Sequence, residues 1–224
     1  MIPWKFLDSA RVPGSSAELS LFARGGEFSI RVNGCELMNS RVHGSEDALA
    51  ELACARIGSR PAPRILIGGL GMGFTTAAVL HRLDAESRVV VAELVPKVVE
   101  WNREFFGELT GRPLQDPRVT VREADVALIL QTEHQAYNAI LLDVDNGPEG
   151  LTRKSNNRLY TETGVKAAFA ALKPAGLLAV WSAGPDVAFS KRLRGVGFAV
   201  EEVSVRARGP AGGSRHTIWI AARS

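Results

Sequence analysis

A chain of 224 residues, 46% hydrophobic and 23% charged, holds one large domain with room for a small appendage. Its net charge of +3 is spread along the sequence, so no tract dedicated to a polyanion is expected. No apolar run approaches the roughly 20 residues that span a bilayer, so no membrane partner is expected.

The start, Met1-Ile2-Pro3-Trp4-Lys5-Phe6-Leu7-Asp8, lacks a charged leader followed by a long apolar core, so no signal peptide is expected. Glu18–Phe22 and Phe28–Val32 alternate in polarity around Gly25-Gly26, and Asn33-Gly34 marks a second tight turn before Cys35–Met38. Two turn signals between short alternating runs predict a small antiparallel meander of three strands, which needs support from the rest of the chain. Ser45 opens a helix with Glu46 and Asp47 in its first turn and Leu49, Leu52 and Ala53 as its apolar face. We therefore divide the chain into a β subdomain (1–44) and a catalytic domain (45–224).

Pro61 and Pro63 lead into Ile65-Leu66-Ile67-Gly68-Gly69-Leu70-Gly71-Met72-Gly73, followed by the helix start Thr75–Leu80. A branched apolar run that empties into glycines is a buried strand turning sharply into a helix around a nucleoside. A dinucleotide fingerprint wants glycines at i, i+2 and i+5, but counting from Gly69 the last position is Phe74. The pattern is G-x-G-x-G through Gly69, Gly71 and Gly73, as in enzymes that bind S-adenosylmethionine (SAM). Strands and helices then alternate: Val89–Ala92, the helix Pro96–Phe106, Val119–Val121, the helix Val126–Gln131 and Ala139–Leu142. After the helix Thr161–Leu172 and the strand Leu177–Trp181 comes the helix Asp186–Leu193. The last two strands, Phe198–Val205 and His216–Ala221, have no helix between them and should pair antiparallel. The fold class is α/β: a Rossmann-like class I SAM-dependent methyltransferase sheet with an antiparallel final strand, preceded by the β meander.

Ligands of such sheets sit beyond the carboxyl ends of the strands, where four acids fall. Glu93 ends a strand about twenty residues past the glycines, the place of an acid that accepts from ribose hydroxyls. Asp125 suits an adenine amino group or a helix N-cap, and both readings stay open. Asp143 and Asp145 head a long loop whose acids can orient an amine or act as a base. Four scattered histidines and two cysteines, Cys35 and Cys54, show no ligand spacing. No metal is expected, and the thiols read as reduced in a cytoplasmic protein.

In this order the pieces resemble the spermidine synthase (polyamine aminopropyltransferase) family over nearly the whole chain. The matching segments are Gly68–Gly73, Val91–Val95, Ala124-Asp125, Tyr137–Asp143 and Leu159-Tyr160-Thr161. The resemblance implies that Gly69, Gly71, Gly73, Glu93 and Asp125 bind the cofactor and Asp143 and Asp145 are catalytic. It also implies that Asn146 and Tyr160 contact the substrate and that the chain forms a homodimer. The departures are specific. The family's glycine motif carries an Asp that grips the aminopropyl chain, and Gly71 stands in its place. Asn146 stands where the family's second catalytic acid would be, with Asp145 one place early. Leu49 and Ala50 occupy the places of a Tyr-His pair. Losing a carboxylate that pairs a buried ammonium costs about 3–5 kcal/mol. The segment from Asp143 to Ser182 is also similar to the bacterial wobble-uridine tRNA methyltransferase. Methyl transfer from SAM to an amine or other small nucleophile is therefore the first expectation, with RNA as a minority acceptor. Aminopropyl transfer from decarboxylated SAM is the alternative, and a non-catalytic nucleoside-binding protein the third reading.

Overall fold

The computed structural model describes residues 2–58, 60–144 and 157–223, and they form two sheets. The first contains β1 (Lys5–Arg11), β2 (Glu18–Arg24), β3 (Glu27–Val32) and β4 (Cys35–Asn39), antiparallel in that order. Both inner hairpins close over two residues with positive φ, +53° and +86° at Gly25-Gly26 and +49° and +82° at Asn33-Gly34. Loops of this length favour that conformation because its twist matches the flanking strands. The meander thus has four strands rather than three. The extra strand, β1, is an edge with no buried residue and a bulge between Phe6 and Asp8, so it carries no alternation to read.

Leu19, Leu21, Ile30 and Val32 turn inward and share a core with Val98, Val99, Trp101 and Phe106. The sheet is thereby docked on the helix α3 (Pro96–Trp101). There the Trp101 indole donates to Asp8 at 2.9 Å, and the Lys97 ammonium lies 3.2 Å from the same carboxylate.

The second sheet runs in the order β10-β11-β9-β8-β5-β6-β7. Its strands are β5 (Arg64–Gly68), β6 (Arg88–Glu93), β7 (Val119–Glu123), β8 (Tyr137–Leu142), β9 (Leu172–Ser182), β10 (Phe198–Arg206) and β11 (Arg215–Arg223). Neighbours among β5 to β9 are parallel, while β11 lies antiparallel to β9 and β10. Ile65, Leu66, Ile67, Val91 and Ile140 are at most 1% exposed, as strands covered on both faces require. The chain leaves β5 toward β6 and β7, then returns to β8 on the other side of β5. That reversal opens a crevice at the carboxyl ends.

The helices α1 (Gly44–Ile57), α2 (Phe74–Leu80), α4 (Gly107–Thr110), α5 (Val126–Thr132), α6 (Asn157–Tyr160), α7 (Glu162–Ala171) and α8 (Val187–Val196) complete the fold. The helix expected over Pro96–Phe106 changes to π geometry at Asn102–Phe106. Lys173–Gly176 does not separate helix from strand. β9 already begins at Leu172, and its register with β8 jumps between Tyr137 and Ala139 to pass the insertion. Among the described residues no helix is long and apolar enough to cross a membrane.

Candidate active site

The glycine turn is built by close approach. Gly69 has φ +93°, and a Cβ there would lie 2.2 Å from the Asp143 carbonyl oxygen. Glycine is the residue that lets the β5–α2 turn cross the end of β8. Gly71 (φ +52°) faces the Met38 sulfur from β4, 3.2 Å from where its Cβ would sit. Gly73 (φ +90°) caps α2 and faces the Asn102 side chain, whose amide donates to the Gly71 and Val98 carbonyls at 2.7 and 2.9 Å. The π-helical segment therefore begins with the residue that braces the glycine turn.

Glu93 is buried at the end of β6, where its two carboxylate oxygens accept from the Leu70 and Val95 amides at 3.0 and 2.8 Å. Asp125 is the N-cap of α5. It accepts from the Ala127 amide at 2.9 Å, with Arg158 at 3.3 Å from its second oxygen. It also lines the same cleft as Glu93. Asp143 is fixed at the end of β8. Its amide donates to the Gly68 carbonyl at 2.8 Å, and its carboxylate accepts from the Thr75 hydroxyl at 2.5 Å.

Two clefts meet at Asp143. The first, of about 760 Å³ including its open mouth, is floored by Gly69, Gly71, Glu93, Asp125 and Asp143. Its wall is apolar and comes from the first sheet, through Leu19, Ile30 and Leu37. That size and mixture suit a nucleoside. The second, of about 960 Å³, is lined by Glu36, Glu46, Asp143, Phe74, Trp181 and His216 among others. Glu36, Glu46 and Asp143 are acidic, and no lysine or arginine occurs among its described lining residues. Met38, Gly71 and Asp143 belong to both clefts.

The electrostatics follow from burial. The Glu46 carboxyl is raised first by burial and next by the Asp143 charge. Asp143 is raised by burial, partly offset by the Thr75 hydrogen bond. Burial and their proximity thus push both carboxyls up, Glu46 to about 7 and Asp143 to about 6. His216 is pushed below its ordinary value by burial, against a smaller opposing effect of the Ala183 backbone. It therefore stays neutral at pH 7 and does not offset the acids.

The structure brings Gly69, Gly71, Glu93, Asp125 and Asp143 to one cleft. Gly73 lies behind the turn, against Asn102. Tyr160 lines neither cleft. It is buried, its ring packs edge-on against Phe189, and its hydroxyl lies 3.4 Å from the Val144 carbonyl. Asp145 and Asn146 lie outside the described residues. Leu49 and Ala50 are fully buried core residues of α1. Sequence reasoning missed Met38, Glu36, Trp181 and Glu46, which reach the site only through tertiary packing. For Glu46 the signal was present but spoke of a helix start.

Glu93→Gln replaces one acceptor oxygen by an amide that cannot accept from either backbone N–H. We expect nucleoside affinity to fall by about 10–100-fold, at about 1.4 kcal/mol per factor of ten. Calorimetric titration with SAM or its decarboxylated form checks this, and unchanged affinity would remove Glu93 from the site.

Residues 52–187 match the family model of the spermine/spermidine synthase domain. No curated protein matches the chain. The fold is similar to that of spermidine synthase from Thermotoga maritima, with TM-score 0.77 and 19% identity over 98% of this chain and 73% of that one. A spermidine synthase in complex with the transition state analogue AdoDATO gives 0.76 at 18% identity, over 98% and 73%. A probable spermidine synthase from Corynebacterium glutamicum gives 0.67 at 18% identity, over 97% and 79%. The family match overturns methyl transfer as the first expectation, and with it the assignment as a methyltransferase. That expectation weighed the missing carboxylate at Gly71 too heavily. The place is taken by the Met38 thioether, and other acids line the adjoining cleft.

Proposed function

Because the chain belongs to the spermine/spermidine synthase domain family, we propose that it transfers the aminopropyl group of decarboxylated SAM to a small amine. The observation that carries this reading is the junction of an apolar-walled nucleoside cleft with an acid-lined cleft at Asp143. Glu93 would hold the ribose, Asp125 the adenine side, and Gly69 and Gly71 would let the main chain close on the nucleoside. The donor's reacting carbon would lie at the junction, open to attack from the second cleft.

Charge supports the decarboxylated donor over SAM itself. SAM brings a carboxylate close to its sulfonium, and the junction already holds Asp143 with Glu46 beside it. Like charges in a partly desolvated site repel, whereas the ammonium of the aminopropyl chain is attracted. The acceptor enters a cleft whose described lining residues include three carboxylates and no lysine or arginine, which suits an amine.

The test is paired titration and turnover. We expect decarboxylated SAM to bind at least about tenfold tighter than SAM, which is about 1.4 kcal/mol. With a panel of α,ω-diamines it should yield 5′-methylthioadenosine and the aminopropylated amine. Tight binding without turnover would leave a nucleoside-binding protein, and tighter binding of SAM would sink the proposal.

A further inference from the structure

The first turn of α1 is held against the glycine turn by contacts that have no bearing on the nucleoside. The His43 ring stacks on the Phe74 ring with centroids 4.2 Å apart and planes within 7°. Gly44 approaches the backbone of Gly209 so closely that a Cβ would lie 2.5 Å from its nitrogen, and its amide donates to the Ala207 carbonyl at 2.9 Å. These anchors fix Glu46 in the second cleft with Asp143, although Glu46 precedes β5 in the chain and Asp143 follows β8. The Ser45 hydroxyl donates to the Glu46 carboxylate at 2.7 Å, which limits its swing.

We propose that Glu46 is a catalytic residue of this chain, forming with Asp143 an acid pair that receives the proton of the acceptor ammonium. This rests on the aminopropyl-transfer reading. The pair starts ionised against the bound ammonium. One N–H proton passes to it, and the freed nitrogen lone pair forms a bond to the aminopropyl carbon. The carbon–sulfur bond breaks with its electrons on sulfur, leaving 5′-methylthioadenosine as a neutral thioether. The pair ends with one proton, which it returns to solvent.

Burial and the neighbouring charges outweigh the hydrogen bonds from the Ser45 hydroxyl and the Glu46 amide, which favour the ionised form. Asp47 on α1 and Asp143 after β8 are acidic neighbours whose charges raise it. Glu36 on β4 lines the same cleft, and His216 on β11 is kept neutral by burial. A base raised by two units or more toward an amine near pH 10 takes its proton about a hundredfold more readily than an ordinary carboxylate. Glu46 also supplies negative charge to the cleft that Gly71 lines.

The experiment compares wild type with Glu46→Gln. Turnover of decarboxylated SAM with 1,4-diaminobutane is followed between pH 5.5 and 9. We expect kcat/KM for the amine to fall by about 10–100-fold at pH 7.5. The acid limb should move to lower pH, because Asp143 loses its acidic neighbour. Binding of 5′-methylthioadenosine should be unchanged, since Glu46 does not line the nucleoside cleft. Independently of turnover, 1,4-diaminobutane is titrated into the 5′-methylthioadenosine complex at pH 6 in two buffers of different ionisation enthalpy. Wild type should release about one proton and Glu46→Gln less than half as much. Glu46→Asp, which keeps the charge, should recover part of both effects. An unmoved acid limb with an unchanged proton count overturns the role of Glu46. Absence of turnover in wild type with every diamine instead overturns aminopropyl transfer, while the proton count still reports on the acid pair.

Discussion

Asp143→Asn lowers turnover by about 10²–10⁴-fold while nucleoside affinity stays within about threefold. The carboxylate stands where the two clefts meet, held by the Thr75 hydroxyl and by the backbone of Gly68. Asparagine keeps the shape and can still accept from Thr75 through its carbonyl oxygen, so the junction retains its form. What disappears is the charge that faces the acceptor amine and the capacity to take its proton. Glu93 and the glycine turn are untouched, which separates the effect on chemistry from the effect on binding. The same variant carries a signature in stability. An acid whose pKa folding raises binds its proton more tightly in the native state than in the unfolded chain. It therefore costs the native state increasing free energy as pH climbs from about 4 to about 6. Wild type loses stability across that window, and the variant should not. Thermal midpoints measured between pH 4 and 8 should thus diverge in the variant's favour as pH rises. Turnover within tenfold of wild type would remove Asp143 from the chemistry.

Gly69→Ala produces the largest loss of stability. The backbone there has φ +93°, a conformation that costs a residue with a Cβ about 1–3 kcal/mol. The added methyl would also sit 2.2 Å from the Asp143 carbonyl oxygen and 3.0 Å from its carbon. Both are main-chain atoms at the end of a central strand, so neither can step aside without moving Asp143. Overpacking of this kind adds about 1–3 kcal/mol, for a total of about 2–6 kcal/mol. At about 2–4 °C per kcal/mol for a chain of this size, the midpoint should fall by roughly 10 °C. Gly34→Ala is the control. Its φ is +82°, but nothing lies within 4 Å of the new methyl, so it carries the strain without the collision. If denaturant unfolding finds Gly69→Ala no less stable than Gly34→Ala, the crossing is softer than the geometry says. The surviving Gly69→Ala protein should also bind decarboxylated SAM weakly, because the displaced Asp143 backbone forms part of the nucleoside floor.

What could be read from the sequence was whatever is encoded locally. The β5–α2 turn announces itself through Ile65–Ile67 and the glycines, because a strand buried on both faces must be apolar throughout. Glu93 was legible for the same reason, as the first charge after Val89–Ala92. Gly25-Gly26 and Asn33-Gly34 predicted hairpins that formed with the required positive φ values. The edge strand β1 was invisible because it buries no face. Asp125 was ambiguous in a way that proved physical, since one side chain both caps α5 and lines the cleft. Met38 beside Gly71 could not be foreseen, because no local rule says which strand fills the space a missing side chain leaves. Nor could Glu46, whose neighbours in sequence describe a helix N-terminus and whose neighbours in space describe an acid cleft. Tyr160, placed by its motif at the substrate, packs into the second core instead.

Leu19, Ile30 and Leu37 give the first sheet a share in the wall of the first cleft, so a ligand seated there would touch both sheets. A four-stranded meander has little core of its own and is held by its contact with α3 and by whatever fills the cleft. A ligand at a hundred times its Kd adds about 2.7 kcal/mol to the folded state, and in this cleft that energy would bridge the two sheets. Without that ligand the hairpins would lose whatever support occupancy lends them, and limited proteolysis with and without decarboxylated SAM would read the difference.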